Sequence, residues 1–237
     1  MADFNLASQL VYISGMLLMA PFTRRAFLRS SAFAGVSLAV SSSSVNATQA
    51  YSPREAAAAA WLNPPKRWKL EESSLICSAD PKTDFWRKTY YGYITDNGHF
   101  YYRRASGDFT TTVKVSGQYQ DLYDQAGLMV RVDAENWMKC GIEFVDSHQN
   151  MSIVYTRDFS SWVTGRLPDG TSSLWLKAVR KGPALDIFHS LDGHNFVESG
   201  VGYLSEAKSV MVGPMFAAPE GKGFEVRFDD WTLEPGS

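Results

Sequence analysis

Cysteine, histidine and net charge are all scarce in this chain of 237 residues. Two cysteines make neither a disulfide framework nor a thiolate metal site, and the four histidines are too scattered for two of them to share a metal ion. A formal net charge of -2 creates no field that attracts nucleic acid or an acidic membrane surface. We therefore expect no metal, no cofactor and no nucleic-acid partner.

Residues 1–47 have the layout of an export signal. The segment TRRAFLRSSAFAGVSLAVSSSSVNA places Arg24, Arg25 and Arg29 before a short apolar run and small side chains. The paired arginines resemble the twin-arginine signal, which is read by a receptor; an organelle-targeting segment or a single anchor is the alternative. Because the apolar run is too short to span a bilayer, we expect an exported protein, periplasmic or extracellular, without stable membrane insertion after signal removal.

Residues 61–235 show strand patterns rather than helical periodicity. Short runs alternate apolar and polar residues, and turn signals such as the LDG at 191–193 separate these runs. The alternation changes side at Asp229 and Asp230, which predicts a β-bulge. We therefore predict one all-β domain, a two-sheet antiparallel sandwich, preceded by a linker at 48–60.

The stretch QAGLMVRVDAENWMKCGIEFVD, residues 125–146, predicts a β-hairpin with two different faces. A five-residue loop at 133–137 would pair Val130 with Cys140 and Leu128 with Ile142, which buries a wholly apolar face. Gly141 would leave a shallow spot on the opposite face. That face carries the larger polar and aromatic side chains: Arg131, Lys139 and Glu143, with Trp137 at its rim.

Five longer motifs run along the domain: WLNPPKRWKL, DPKTDFWRKTYYGYITDNGHFYY, YDQAGLMVRVDAENWMKCGIEFVD, TRDFSSW and AAPEGKGFEVRFDDW. They resemble the regulation-of-enolase-like family of concanavalin A-like domains, a family of unknown function, from about Trp61 to Leu233. The resemblance implies a jelly roll of the lectin/glucanase superfamily. It implies no reaction, because function depends on the site rather than on the fold.

A sheet face that combines charged side chains with nearby rings favours non-catalytic binding of a glycan or another polyhydroxy ligand. Sugars dock on apolar walls while a few fixed polar groups select their hydroxyls. We expect Arg131, Lys139 and Glu143 to form the floor, and tryptophans that follow polar segments to form the walls. The candidate ligand-binding residues are Trp86, Arg131, Trp137, Lys139, Glu143, Arg157 and Trp162.

Two other functions remain open at this point. The first is a glycoside hydrolase that uses Glu143 as acid or nucleophile, with a second carboxylate from Asp84, Asp124 or Asp158. The strand of Glu143 offers no second acid two residues away on the same face. The other is a protein-interaction module without a small ligand. The sequence leaves the oligomeric state and the identity of the ligand open.

Overall fold

The computed structural model describes residues 59–236 as an all-β protein with two large antiparallel sheets. The predicted sandwich is therefore confirmed, and its first strand begins at Ala60. The predicted signal at 1–47, and all but the last two residues of the predicted linker at 48–60, lie outside the described residues. Within 59–236 no helix is long and apolar enough to cross a membrane.

One sheet, here called the front sheet, has the strand order β1-β6-β15-β8-β9-β10-β11. Its central pair is the predicted hairpin, so the front sheet positions every candidate residue of that hairpin. Its strands are β1 (Ala60–Leu62), β6 (His99–Ser106), β8 (Gln125–Arg131), β9 (Asn136–Val145), β10 (His148–Arg157), β11 (Phe159–Arg166) and β15 (Ser209–Ala217).

The back sheet has the strand order β14-β13-β12-β7-β16-β3-β2. Alternate side chains of both sheets meet in the main core; in β7, Val113 and Val115 are fully buried while Thr112 and Lys114 are half-buried. The strands are β2 (Arg67–Glu71), β3 (Ser74–Ser78), β7 (Phe109–Gly117), β12 (Ser173–Lys181), β13 (Ala184–Ser190), β14 (Val197–Tyr203) and β16 (Glu225–Pro235).

The predicted bulge in the last strand is confirmed. The pairing of β16 with β7 shifts between Asp229 and Thr232, and Asp230 has a φ of 52°. The extra residue lets Trp231 turn into the core, where its indole N–H donates to Thr111 Oγ1 at 3.1 Å.

The β8–β9 hairpin has the predicted faces but a different pairing. Val130 lies opposite Met138 rather than Cys140, a shift of two residues that leaves every side chain on its predicted face because the strand period is two. The loop is tighter than predicted, since the Asp133 carboxylate accepts hydrogen bonds from the backbone N–H groups of Glu135 and Asn136. Strand β9 consequently begins at Asn136.

The segment TRDFSSW forms the end of β10, a sharp turn and the first part of the edge strand β11. Asp158 alone, with a φ of 61°, separates β10 from β11. Trp162 therefore lies in the middle of β11, opposite Val154.

A third layer covers the outer face of the front sheet. The short strands β4 (Phe85–Arg87) and β5 (Ile94–Asp96) pair with each other, and residues 84–98, here called the flap, lie against this face. Phe85 of the flap and Trp137 of β9 are both fully buried in a second core, with ring centroids 6.2 Å apart. The prediction that Trp137 lies at the rim of the face is thus wrong.

Candidate functional site

Lys139 fixes the start of the flap to the front sheet. Its ammonium donates to Phe85 O at 2.8 Å and to Gln125 Oε1 at 2.6 Å, and Asp84 Oδ1 lies 3.5 Å away. The side chain is 5% exposed. Lys139 therefore points away from the main core, as predicted, but it is buried beneath the flap, and these three acceptors match its three protons.

Arg131 fixes the end of the flap in the same way. Its guanidinium donates to both carboxylate oxygens of Asp96, at 2.6 and 2.7 Å, and lies 5.8 Å from the centroid of the Phe85 ring. This bidentate geometry occupies the two terminal nitrogens. The sequence-based interpretation of Arg131 as a donor to ligand hydroxyls stays untested, and the structure assigns these nitrogens to Asp96.

Glu143 is buried, and its carboxyl forms no ion pair with Arg131 or Lys139. Trp162 Nε1 donates to Glu143 Oε2 at 2.8 Å. Burial raises the pKa of the Glu143 carboxyl, an effect that the charge of Lys139 and hydrogen bonds from Ser152 and Trp162 only partly offset.

Lys139 and Glu143 belong to the floor of an open pocket at the edge of the flap, here called the aromatic pocket. It brings together four of the predicted site residues, Trp86, Lys139, Glu143 and Trp162, with five others. The full lining is Asp84, Trp86, Tyr91, Tyr93, Tyr123, Gln125, Lys139, Glu143 and Trp162.

The walls of the aromatic pocket are rings. Tyr91 and Tyr93 of the flap stack with centroids 5.6 Å apart, and Trp86 meets Tyr91 edge-on at 5.7 Å. Tyr123 closes the far side, with its hydroxyl 3.2 Å from that of Tyr91 and its ring 6.2 Å from that of Trp162. Trp86 is 8% exposed and forms part of the wall of the pocket.

Gly141 opens a shallow pit beside the aromatic pocket, as predicted. Gly141 faces Gly127 across the hairpin, where a Cβ on either residue would collide with a backbone oxygen of the other strand. The missing side chains leave a depression next to Lys139 and Glu143 that Met215 also lines.

Three predicted residues do not line the aromatic pocket: Arg131, which binds Asp96, and two others. Trp137 sits beneath the flap, where its indole N–H donates to Ala134 O at 3.2 Å. Arg157 is exposed at the end of β10 and lies 5.4 Å from the ring of Tyr203, which belongs to the back sheet. The pocket thus does not include Arg157.

The predicted site residues did not include four residues of the pocket lining: Tyr91, Tyr93, Tyr123 and Gln125. Gln125 begins β8 and shares its face with Arg131, six residues further on. Extending the same alternation towards the amino end of β8 would have found it. No comparable signal identifies Tyr123, which precedes the strand.

Metal ligands are not grouped anywhere in the described part of the chain: residues 59–236 contain no cluster of three or more His, Cys, Asp or Glu side chains able to hold an ion. Both cysteines are free thiols in the core, and burial raises the pKa of the Cys140 thiol to about 12.

Comparison with known proteins identifies a family and a shared fold. The curated "Regulation of enolase protein 1" of Saccharomyces cerevisiae is 38% identical over 173 residues, which is 73% of this chain and 87% of the relative. The crystal structure of a functionally unknown protein from the same yeast matches at 36% identity and a TM-score of 0.74, over 77% of this chain and 98% of that one.

A more distant likeness concerns the fold alone. The crystal structure of the GH43 BlXynB protein from Bacillus licheniformis matches at 18% identity and a TM-score of 0.61, over 73% of this chain and 36% of that chain. The family model described as "Protein of unknown function (DUF1349)" matches residues 61–236. The chain therefore belongs to this family of β-sandwich proteins with no assigned function.

Proposed function

We propose that the aromatic pocket binds a glycan or another polyhydroxy ligand without catalysis. The observation that carries the proposal is the combination of five rings, from Trp86, Tyr91, Tyr93, Tyr123 and Trp162, with a buried polar floor. Sugar rings present C–H faces that stack on aromatic side chains, and a small number of fixed polar groups then orients the hydroxyls.

The polar floor supports binding because it is already rigid. Lys139 is anchored to Phe85 O and Gln125 Oε1, and Glu143 to Trp162. A floor that is ordered before the ligand arrives loses little side-chain entropy on binding. The half-exposed rings of Tyr91 and Tyr93 supply the adaptable part of the surface.

A matched pair of tyrosine variants tests this proposal. Tyr93→Ala removes a ring of the pocket that is 45% exposed, and the control Tyr203→Ala removes one on β14 that is 46% exposed. On a glycan array, and by calorimetry with any glycan that binds, we expect Tyr93→Ala to weaken binding about tenfold, equivalent to about 1.4 kcal/mol. Tyr203→Ala should match the unmodified protein.

Equal losses in both variants would remove the aromatic pocket as the site. If no glycan on the array binds, the third function, a protein-interaction module without a small ligand, is favoured.

Glycoside hydrolysis is the second candidate function, because two carboxylates line the same pocket. Burial raises the pKa of Glu143, as a general acid requires, and Asp84 is the one predicted partner among the pocket residues. Asp158 instead pairs with Arg87 and Lys88.

The variant Glu143→Gln separates the two functions. If the site only binds, the amide still accepts a hydrogen bond, and affinity should fall by roughly 1 kcal/mol or less. If Glu143 is the acid of a hydrolase, turnover of the bound glycan should fall by about a hundredfold or more.

We also propose that this function is exerted outside the cytoplasm, after export through the twin-arginine-like segment at 23–29. The support is the sequence pattern of that segment.

A further inference from the structure

Hydrogen-bond donors in the aromatic pocket are already used by the protein. The three protons of Lys139 match its three acceptors, as described above. The amide of Gln125 donates to Asp84 Oδ1 at 3.3 Å and to Tyr123 O at 3.2 Å. These two side chains therefore have no N–H left for a ligand.

The indoles are occupied as well. Trp86 Nε1 donates to Thr89 O at 3.0 Å, and Trp162 Nε1 to Glu143 Oε2 at 2.8 Å and Ser152 Oγ at 3.1 Å. The tyrosine hydroxyls, which both donate and accept, are then the remaining donors of the pocket.

Acceptors, in contrast, remain available. Asp84 Oδ1 takes hydrogen bonds from Phe85 N, Gln125 and Lys139, whereas Asp84 Oδ2 takes none from residues 59–236. Glu143 accepts hydrogen bonds from Trp162, at Oε2, and from Ser152, and a carboxylate with about four acceptor sites that lines the pocket keeps capacity for a donor on a ligand.

The charged groups that line the pocket also favour a ligand that donates hydrogen bonds over an anionic one. Lys139 pairs with Asp84 at 3.5 Å, so Glu143 is the charged group of the pocket lining that has no counter-ion among residues 59–236. An anionic ligand would meet uncompensated carboxylate oxygens in a partly desolvated site, whereas a cation would satisfy them.

We propose that the aromatic pocket binds a positively charged nitrogen, a protonated amine or quaternary ammonium, carried by its ligand. The faces of tryptophan and tyrosine rings attract cations, and cages of such rings recognise ammonium groups. The five rings of the pocket provide the aromatic faces, and its two carboxylates provide oxygens that accept hydrogen bonds from the ammonium group. The inference rests on the proposed function and narrows the ligand to an amino sugar, whose ring stacks while its ammonium reaches Glu143 and Asp84.

The test uses three oligosaccharides of equal length that differ only at C2: β-1,4-linked glucosamine, N-acetylglucosamine and glucose. Calorimetry with the full-length protein at neutral pH should give at least tenfold tighter binding for the glucosamine oligomer than for the other two. Its N-trimethylated derivative should retain that preference, because the charge then does not depend on pH.

Glu143→Gln keeps the shape and an acceptor but removes the charge. We expect it to reduce the affinity for the glucosamine oligomer about tenfold more than it reduces the affinity for the glucose oligomer. A preference that survives in Glu143→Gln and also in Asp84→Asn would overturn the inference.

The remaining outcomes separate this inference from the proposed function. Equal affinity for the three oligomers would leave glycan binding in place and refute the cation. If no oligomer binds, the protein is titrated with tetramethylammonium while its tryptophan fluorescence is measured. Saturable quenching that is lost in Glu143→Gln would support the cation site and refute the proposal that the pocket binds a glycan. If tetramethylammonium causes no quenching, both the cation site and the glycan-binding function are refuted.

Discussion

Replacing Lys139 should destabilise this protein far more than its position on an outer sheet face suggests. Lys139→Met keeps the aliphatic stem but removes three hydrogen bonds. Phe85 O and Gln125 Oε1 then lose a donor, and Asp84, whose side chain is 14% exposed, loses its counter-ion.

The magnitude follows from these losses. Removing one member of a buried ion pair costs about 3–5 kcal/mol, and each buried acceptor left alone costs about 1–3 kcal/mol. Asp84 keeps hydrogen bonds from Phe85 N and Gln125 and remains partly hydrated, which places the expected cost of Lys139→Met at the lower end, about 3 kcal/mol.

Urea unfolding followed by tryptophan fluorescence measures this cost on the full-length chain. The control is Lys69→Met, because Lys69 pairs with Glu71 at 2.6 Å but its side chain is 60% exposed. Such surface pairs contribute about 0–1 kcal/mol. In addition, the double variant Lys139→Met with Asp84→Asn should cost less than the sum of the single variants, because the unpaired charge is gone.

A cost below about 1 kcal/mol for Lys139→Met, similar to that of Lys69→Met, would refute the reasoning. It would mean that the ammonium is hydrated in solution and that the flap does not lie where these contacts place it.

Three further predictions concern the core, the pH response and export. Ile142→Ala should lower the unfolding free energy by about 2–5 kcal/mol, since Ile142 is 1% exposed in the main core; a cost under 1 kcal/mol would contradict the assigned face. Because burial raises the pKa of Glu143 above its usual value of 4.5, its contribution to stability is full below that value and is lost as pH rises through the raised pKa. The stability of the parent relative to Glu143→Gln should therefore decrease from about pH 4.5 upwards, and a constant difference in unfolding experiments would exclude this. Changing Arg24 and Arg25 together to lysine should retain the precursor in the cytoplasm in cell fractionation, because the receptor reads the guanidinium group and not charge alone; unchanged export would remove the twin-arginine route.

The faces of the central hairpin could be read from the sequence because strand alternation is strict there. Val130, Cys140 and Ile142 all reach the main core, as the period of two requires. The pairing of the two strands could not be predicted from the alternation of apolar residues. It depends on the Asp133 side chain, which closes the loop two residues earlier than hydrophobic matching suggests.

The flap was not predictable, because it carries almost no periodic signal. Strands β4 and β5 have three residues each, too few to show an alternation. The segment from Trp86 to Tyr93 is rich in aromatic residues, but no pattern in it indicates that it folds back over Lys139 and Trp137. Sequence reasoning therefore found the floor of the site and misjudged its exposure.

The two cations of the hairpin affect any ligand chiefly through the flap. Arg131 holds Asp96 at one end and Lys139 holds Phe85 O at the other, so the two ends of the β4–β5 pair are fixed to the sheet by charged groups. Trp86, Tyr91 and Tyr93 lie between those two ends. Buried charged contacts tolerate little displacement, because a small shift leaves an ion unpaired. Arg131 and Lys139 thus determine where the aromatic walls stand, and a ligand would bind rings whose positions depend on two side chains that already hold the flap.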